Sequence, residues 1–440
     1  MATSKQYKVY LTPRTGEFTY GTEVQVSAEI LNTGIKTMKR TIDSSDYEIG
    51  VYTYGDINIK MVNKNGKYNN EWDRRSFFKY SRDLAKIRVD YSDNNGDVTR
   101  FKGLINEEGT RQNIEKEEIT FKVLSQDSVM RTTKVAAGLI PNAVLASAAI
   151  KSILNQAKVL SVLNYSASNI NVDQDFTIDD GTKFDNVVVR KALNSLLAAS
   201  NSVLVIDSSD NVIVQGRDAS TASVFSLYGP YDEKNRQNIH GVKKYNTGRH
   251  RTFTSVKIGD TESTNNGYSL DYGYRQKKFA MEFVTNNATQ ATIGAKILDE
   301  FKDPRVELEV ACPTHIVKNV NLLDPISLNY PLRVKRITGK FLPVVGATVI
   351  GDAEMPLPNT YGNAAIPSNM AFKVIEIAEN AGKFETVLKL RQYGWFNDPA
   401  SCYVGYAKID ESTICETGTA CDAFEVAFIG GGKINCTLVT

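Results

Sequence analysis

Three histidines, His240, His250 and His315, are the only side chains of the chain whose unperturbed charge changes near neutral pH. A hydrolytic triad needs its base held between a nucleophile and an orienting carboxylate. No Gly-x-Ser-x-Gly elbow, His-Glu-x-x-His helix or phosphate-cradling glycine loop accompanies these histidines. Acid–base work by two carboxylates needs only a pair of Asp or Glu, and among 50 acidic residues spacing singles out no such pair. Cys312-Pro313-Thr314-His315 offers two metal-ligand types close together, yet reads first as a core cysteine beside a surface histidine. Cys402, Cys415, Cys421 and Cys436 lack the close Cys pairs of structural zinc sites. They read as small buried thiols, with zinc, or disulfides formed in an oxidising medium, as the alternatives. The expectation is a chain with no catalytic residue, no metal and no cofactor.

Charge supports that direction. Lys and Arg number 52 against 50 Asp and Glu, a net charge of +2 over 440 residues, which excludes a generally basic nucleic-acid binder and an acidic disordered chain. One local run is basic: Lys234, Arg236, Lys243, Lys244, Arg249, Arg251 and Lys257 against Asp232 and Glu233. Tyr231, Tyr245 and Phe253 interleave it, so a nucleic-acid face has to be weighed against a solvated loop or subunit contact, which such runs more often are. The run Glu107 to Glu118, with Arg111 and Lys116 among its acids, reads as a solvated hairpin connection. No stretch supplies the ~20 apolar residues of a membrane span. The nearest, Val135 to Leu154, is interrupted by Pro141, Asn142, Ser147, Lys151 and Ser152. Met1 to Leu11 alternates instead of forming the apolar run of a signal peptide, so synthesis in the cytoplasm is expected.

The elements that would position any site are mostly strands. Val24, Val26, Ala28 and Ile30 alternate, as do Ile57, Ile59 and Met61, then Ile87, Val89 and Tyr91, then Ile119, Phe121 and Val123. Asn63-Lys64-Asn65-Gly66 and Asp93-Asn94-Asn95-Gly96-Asp97 punctuate them with the positive-φ residues tight turns require. From Arg131 the period lengthens. Ala146, Ile150, Ile153, Leu154 and Ala157 make one helical stripe, and Val189, Ala192, Leu193, Leu196 and Leu197 another. Val203 to Ile206 then pairs with Val212 to Val214. After Ser223 strands resume around one helix at Gly294 to Phe301, and a hairpin over Phe372 to Leu390 closes the region. The prolines between Gly339 and Met370 mark a long irregular loop. The expected fold is mainly β: a barrel-like domain over 1–130, an α+β domain over 131–222, a second barrel-like domain over 223–397, and a Cys-containing extension over 398–440.

The order of these elements resembles the hub proteins at the tip of phage tails, the baseplate hubs of contractile phages and the N-terminal regions of tail-associated proteins. Asp56 to Tyr68, Ser76-Phe77-Phe78, Lys86 to Tyr91 and Phe101-Lys102-Gly103-Leu104-Ile105 are similar to that family's successive strands and turns. So are Ile119 to Asp127, the helix Phe184 to Ser200 with Val203 to Asp207 and Asn211 to Val214, and the helix 289–302 with Asp303-Pro304-Arg305. Leu322 to Leu328 and the closing hairpin Lys373 to Arg391 complete the likeness, which covers about residues 20 to 395. Residues 398–440 have no counterpart, and the 339–370 loop is longer than the family's. The resemblance implies a homotrimeric ring in the virion, at the tail tip or baseplate, with two barrel-like domains per subunit matching a hexameric tail tube. Its partners would be the tube or distal tail protein, a central spike or fibre and the tape-measure protein, with DNA only in transit and no membrane insertion. The rival readings are a cell-wall hydrolase working through a carboxylate pair, and a host-receptor module using residues 398–440.

Overall fold

The computed structural model describes residues 6–42, 50–207, 210–217, 225–229, 236–246, 252–265, 273–302, 305–331 and 370–395, with the short strands 344–345, 348–349, 364–366, 424–427 and 433–436. The fold is mainly β, with two half-barrel sheets and a few helices.

A seven-stranded sheet runs in the order Val24–Gln25, Gln6–Thr12, Lys86–Asp93, Gly96–Asn113, Glu118–Ser125, Ile57–Val62, Ile30–Ile35. Alternation puts Val9, Leu11, Ile59, Met61, Ile87, Val89, Phe121 and Val123 into one core. The segment between Val62 and Lys86 folds over that face, and Tyr68 and Phe78 each meet the Phe121 ring edge-on at 6.2 Å. Gly103 is needed where it stands, because a Cβ there would run into the Leu124 carbonyl oxygen of the neighbouring strand. The strand expected over Val24 to Ile30 is broken by a 3-10 turn at Ser27–Glu29. The Ser27 hydroxyl accepts the Val9 amide at 2.9 Å, a side-chain bond that replaces one rung of the ladder.

The second sheet has twelve strands drawn from the whole chain. Its main path is Asn164–Ile170, Asn211–Gly216, Ser202–Ile206, Gly50–Tyr54, Thr37–Ile42, Met370–Asn380, Glu385–Trp395, Glu307–Pro313, Gly241–Asn246. The hairpin Thr37–Ile42 with Gly50–Tyr54 therefore leaves its sequence neighbours and joins strands from beyond residue 200. The expected pairing of Val203 to Ile206 with Val212 to Val214 is present and antiparallel. Helices Ala146–Leu154 and Val189–Ala199 bury Ile150, Ile153, Leu193, Leu196 and Leu197 in a shared core. The first helical stripe stops at Asn155 and resumes as the short helix Ala157–Leu160, where the sequence suggested one continuous element.

Helix Asn287–Phe301 lies on a three-stranded sheet of Ser255–Ile258, Thr261–Thr264 and Gln276–Phe279. The Asn286 side chain caps it, accepting the Ala288 and Thr289 amides at 2.9 and 3.2 Å. The 339–370 loop and the 398–440 extension lie largely outside the described residues; within the extension, Phe424–Ala427 pairs with Lys433–Cys436. No helix among the described residues is long and apolar enough to cross a membrane.

Candidate assembly surfaces

The candidate chemical groups do not converge. Cys312 is fully buried in the second core, where burial pushes its thiol up to about 12, so it is a packed hydrophobe and not a thiolate ligand. His315 sits one turn on, in helix Thr314–Val317. Among the described residues no three His, Cys, Asp or Glu side chains come together to hold a metal ion. His250, Cys402, Cys415 and Cys421 lie outside the described residues.

The basic run resolves into separate environments. Strand Gly241–Asn246 forms one edge of the twelve-stranded sheet. Lys243 pairs with Glu385 at 2.7 Å and Lys244 with Glu309 at 2.9 Å, so acids of the neighbouring strands answer these two charges. Arg236 stacks over the Tyr228 ring at 3.9 Å, and Phe253 is buried against Phe301. A continuous cationic groove for phosphates is not what these described residues build. Charged side chains along an exposed edge instead discourage indiscriminate strand pairing. At the opposite edge, Asn164–Ile170 presents mostly polar, exposed residues.

Between the two large sheets runs a buried polar seam. Glu379, on the strand Met370–Asn380, accepts from the Tyr7 hydroxyl at 2.6 Å and from Arg100 Nε at 2.6 Å. Both partners belong to the seven-stranded sheet, and Arg100 and Glu379 are only 1% and 2% exposed. Arg100 also donates to the Lys318 carbonyl, while Lys318 Nζ donates to both Asp93 oxygens at 2.7 and 2.8 Å. The Tyr7 ring stacks on Phe384 with centroids 5.6 Å apart and planes 11° from parallel. Burial, and then the nearby Glu379 charge, raises the Tyr7 hydroxyl far above the ordinary phenol range, so it stays a donor. The Lys318 ammonium holds Asp93 below the usual carboxylate range. A charge pair this deep persists only because each member is answered; it fixes how the sheets meet.

The outer end of the seven-stranded sheet carries two bare apolar tips. Trp72 is 84% exposed and Ile114 81%. Hydrogen bonds tie their loops together: Gln112 donates to Asn69 at 2.7 Å, and the Asn63 amide to the Glu117 carbonyl at 2.6 Å. The acidic run Glu107 to Glu118 forms this end, with residues 111–117 exposed around the turn. Sequence reasoning identified the turn but neither apolar tip, since an isolated Trp or Ile carries no mark of exposure. It also missed Tyr7, Arg100 and Glu379, and no short-range pattern could have joined residues 279 positions apart.

This arrangement, two half-barrel sheets locked by an internal seam and bounded by polar edges, has the fold of a phage tail protein. It matches the tail protein from Neisseria meningitidis with a TM-score of 0.52 at 13% identity, covering 89% of this chain and 98% of that one. It is also similar to the 43 kDa tail protein of prophage MuSo2 from Shewanella oneidensis (TM-score 0.49, 12% identity, 88% and 98% covered). A prophage tail protein from Listeria monocytogenes aligns with a TM-score of 0.47 at 9% identity, over 87% of this chain and 94% of that one. No protein-family model matches the sequence, and no curated protein sequence matches it.

Proposed function

We propose that the chain is a structural virion protein, the hub of a phage tail tip or baseplate, and that it acts through interfaces without catalysis. The observation that carries this reading is the end-to-end likeness of fold to a tail protein, 98% of which is covered. In the finer form of the proposal, three copies close a ring that joins the tail tube to a central spike or fibre and lines the path of DNA. Its partners are then other copies of itself, the tube or distal tail protein, the spike or fibre and the tape-measure protein. The division at residues 130, 222 and 397 belongs to the same proposal, with the twelve-stranded sheet crossing its first two boundaries.

The physical case is mechanical. A part that transmits force between tube and spike needs its domains held in one orientation, and the Arg100–Glu379 seam supplies such a lock. Polar, charge-paired edges leave strand ends that a specific neighbour can cover while suppressing random association. DNA passing such a surface would meet the paired Lys243 and Lys244, which suits transit better than tight binding.

The test is immunogold labelling of tailed particles from a strain expressing the tagged chain. Labels confined to the tail tip are expected. Particles that carry no label, or tails that assemble and infect without the chain, would defeat the proposal.

A further inference from the structure

The most exposed apolar tip and the largest described cavity carry opposite charge. The cavity, of about 710 Å³, is lined by Lys183, Lys257 and Lys278 around Phe279, Met281 and Val284, with Glu282 as its only carboxylate. Met281 and Val284 are buried at its floor, while Lys183 and Lys278 stand exposed at its rim. The tip presents Trp72 and Ile114 among Glu108, Glu115 and Glu117, all exposed except the half-buried flanks of the turn. Tip and cavity belong to different cores of the molecule, the first and the helical one.

From this complementarity we infer that the 113–118 turn and Trp72 of one copy dock into the lysine-rimmed cavity of the next copy. The chain thereby supplies both halves of a contact on different faces, which is a heterologous, head-to-tail interface; with a closing rotation it makes a ring. Trp72 fills the role of a desolvated aromatic anchor, and the Glu–Lys pairs around it set register and approach. A second copy is favoured over an unrelated partner because one sequence carries both surfaces. The inference rests on the ring form of the tail-hub reading and names the residues through which that ring closes.

The experiment measures the mass of the full chain by light scattering over a range of concentrations and salt. The variants are Trp72→Ala, the tip reversal Glu115→Lys with Glu117→Lys, the rim reversal Lys183→Glu with Lys278→Glu, and the tip and rim reversals combined in one chain. Trp72→Ala and each reversal alone should weaken association at least tenfold with unchanged circular dichroism, since every substituted side chain is exposed. The combined reversal should restore association, a recovery that a misfolded variant cannot produce. Association unaffected in every variant would overturn the inference and leave the tail reading standing. A wild-type chain that stays monomeric would overturn it too. The tail reading itself fails by a different result, the absence of label from particles.

Discussion

In the seven-stranded sheet, Lys86–Asp93 and Gly96–Asn113 are joined by the turn Asn94-Asn95, and the latter strand returns through residues 114–117 into Glu118–Ser125. In the twelve-stranded sheet, Thr37–Ile42 lies beside Met370–Asn380, and Gly50–Tyr54 runs parallel to Ser202–Ile206. The first sheet is stitched mainly by local hairpins; the second gathers segments from both ends and the middle of the chain. Loop-closure entropy makes pairings of the second kind slow to form, since distant segments must be brought together before their contacts return any stability. What they give is mechanical unity. A strand from residues 37–42 and a strand from residues 370–380 in one sheet mean that no cut through the chain separates an N-terminal from a C-terminal body, and the polar seam locks the two sheets where they meet.

That contrast predicts where the molecule breaks. The largest effect should come from Glu379→Ala, which strands the Arg100 guanidinium in a buried site and should cost about 3–5 kcal/mol. Chemical denaturation followed by circular dichroism should then show a single transition splitting in two, as the seven-stranded sheet uncouples. Replacing Arg100 and Glu379 together by Leu should recover much of the loss; a double variant as unstable as the single one would remove the seam from the account.

A smaller loss is expected within the helical unit. Asn286→Ala deletes the cap of helix Asn287–Phe301 and should cost about 1 kcal/mol, in the same denaturation assay, without splitting the transition. Splitting there would mean that the coupling runs through this helix instead of the seam.

Acid separates the two regions more gently. Asp93 at the seam is held below its unfolded value of about 3.9, so its contribution is complete above that pH and is lost as pH falls through the folded value. Glu262, in the small sheet, accepts from Ser255, Tyr274 and Gln276 and is held down to about 2, so its contribution fades between pH ~4.3 and about 2. Melting temperature measured from pH 7 to 2 should therefore be flat above pH ~5 on account of these groups and fall below pH ~4. In Asp93→Asn the acid-dependent fall should shrink. The smallest effect belongs to the edge: Lys244→Ala removes an exposed pair and should change stability by less than about 1 kcal/mol.

The same contrast explains what could be read in advance. Ile57, Ile59 and Met61 against Ile119, Phe121 and Val123, the Asp93 to Gly96 turn and the Ser202 to Gly216 hairpin all announce themselves through period and turn chemistry within a few residues. The departure of Thr37–Tyr54 from its neighbours does not, because its partners lie more than a hundred residues away and its own alternation fits either sheet. Val24 to Ile30 misled for a related reason: the alternation is genuine, but the Ser27 hydroxyl competes for the Val9 amide. The candidate surfaces were half legible. The acidic turn was visible as a charge run, whereas the exposure of Trp72 and Ile114 emerges only once the core is known to be filled by others.

The central claim, a structural ring at a phage tail tip, is tested most directly by the mass of the purified chain in solution. A value near three times 48.7 kDa, with a central channel in negative-stain images, is the result predicted. A stable 48.7 kDa monomer at every concentration, unchanged by tail tube protein, would contradict it.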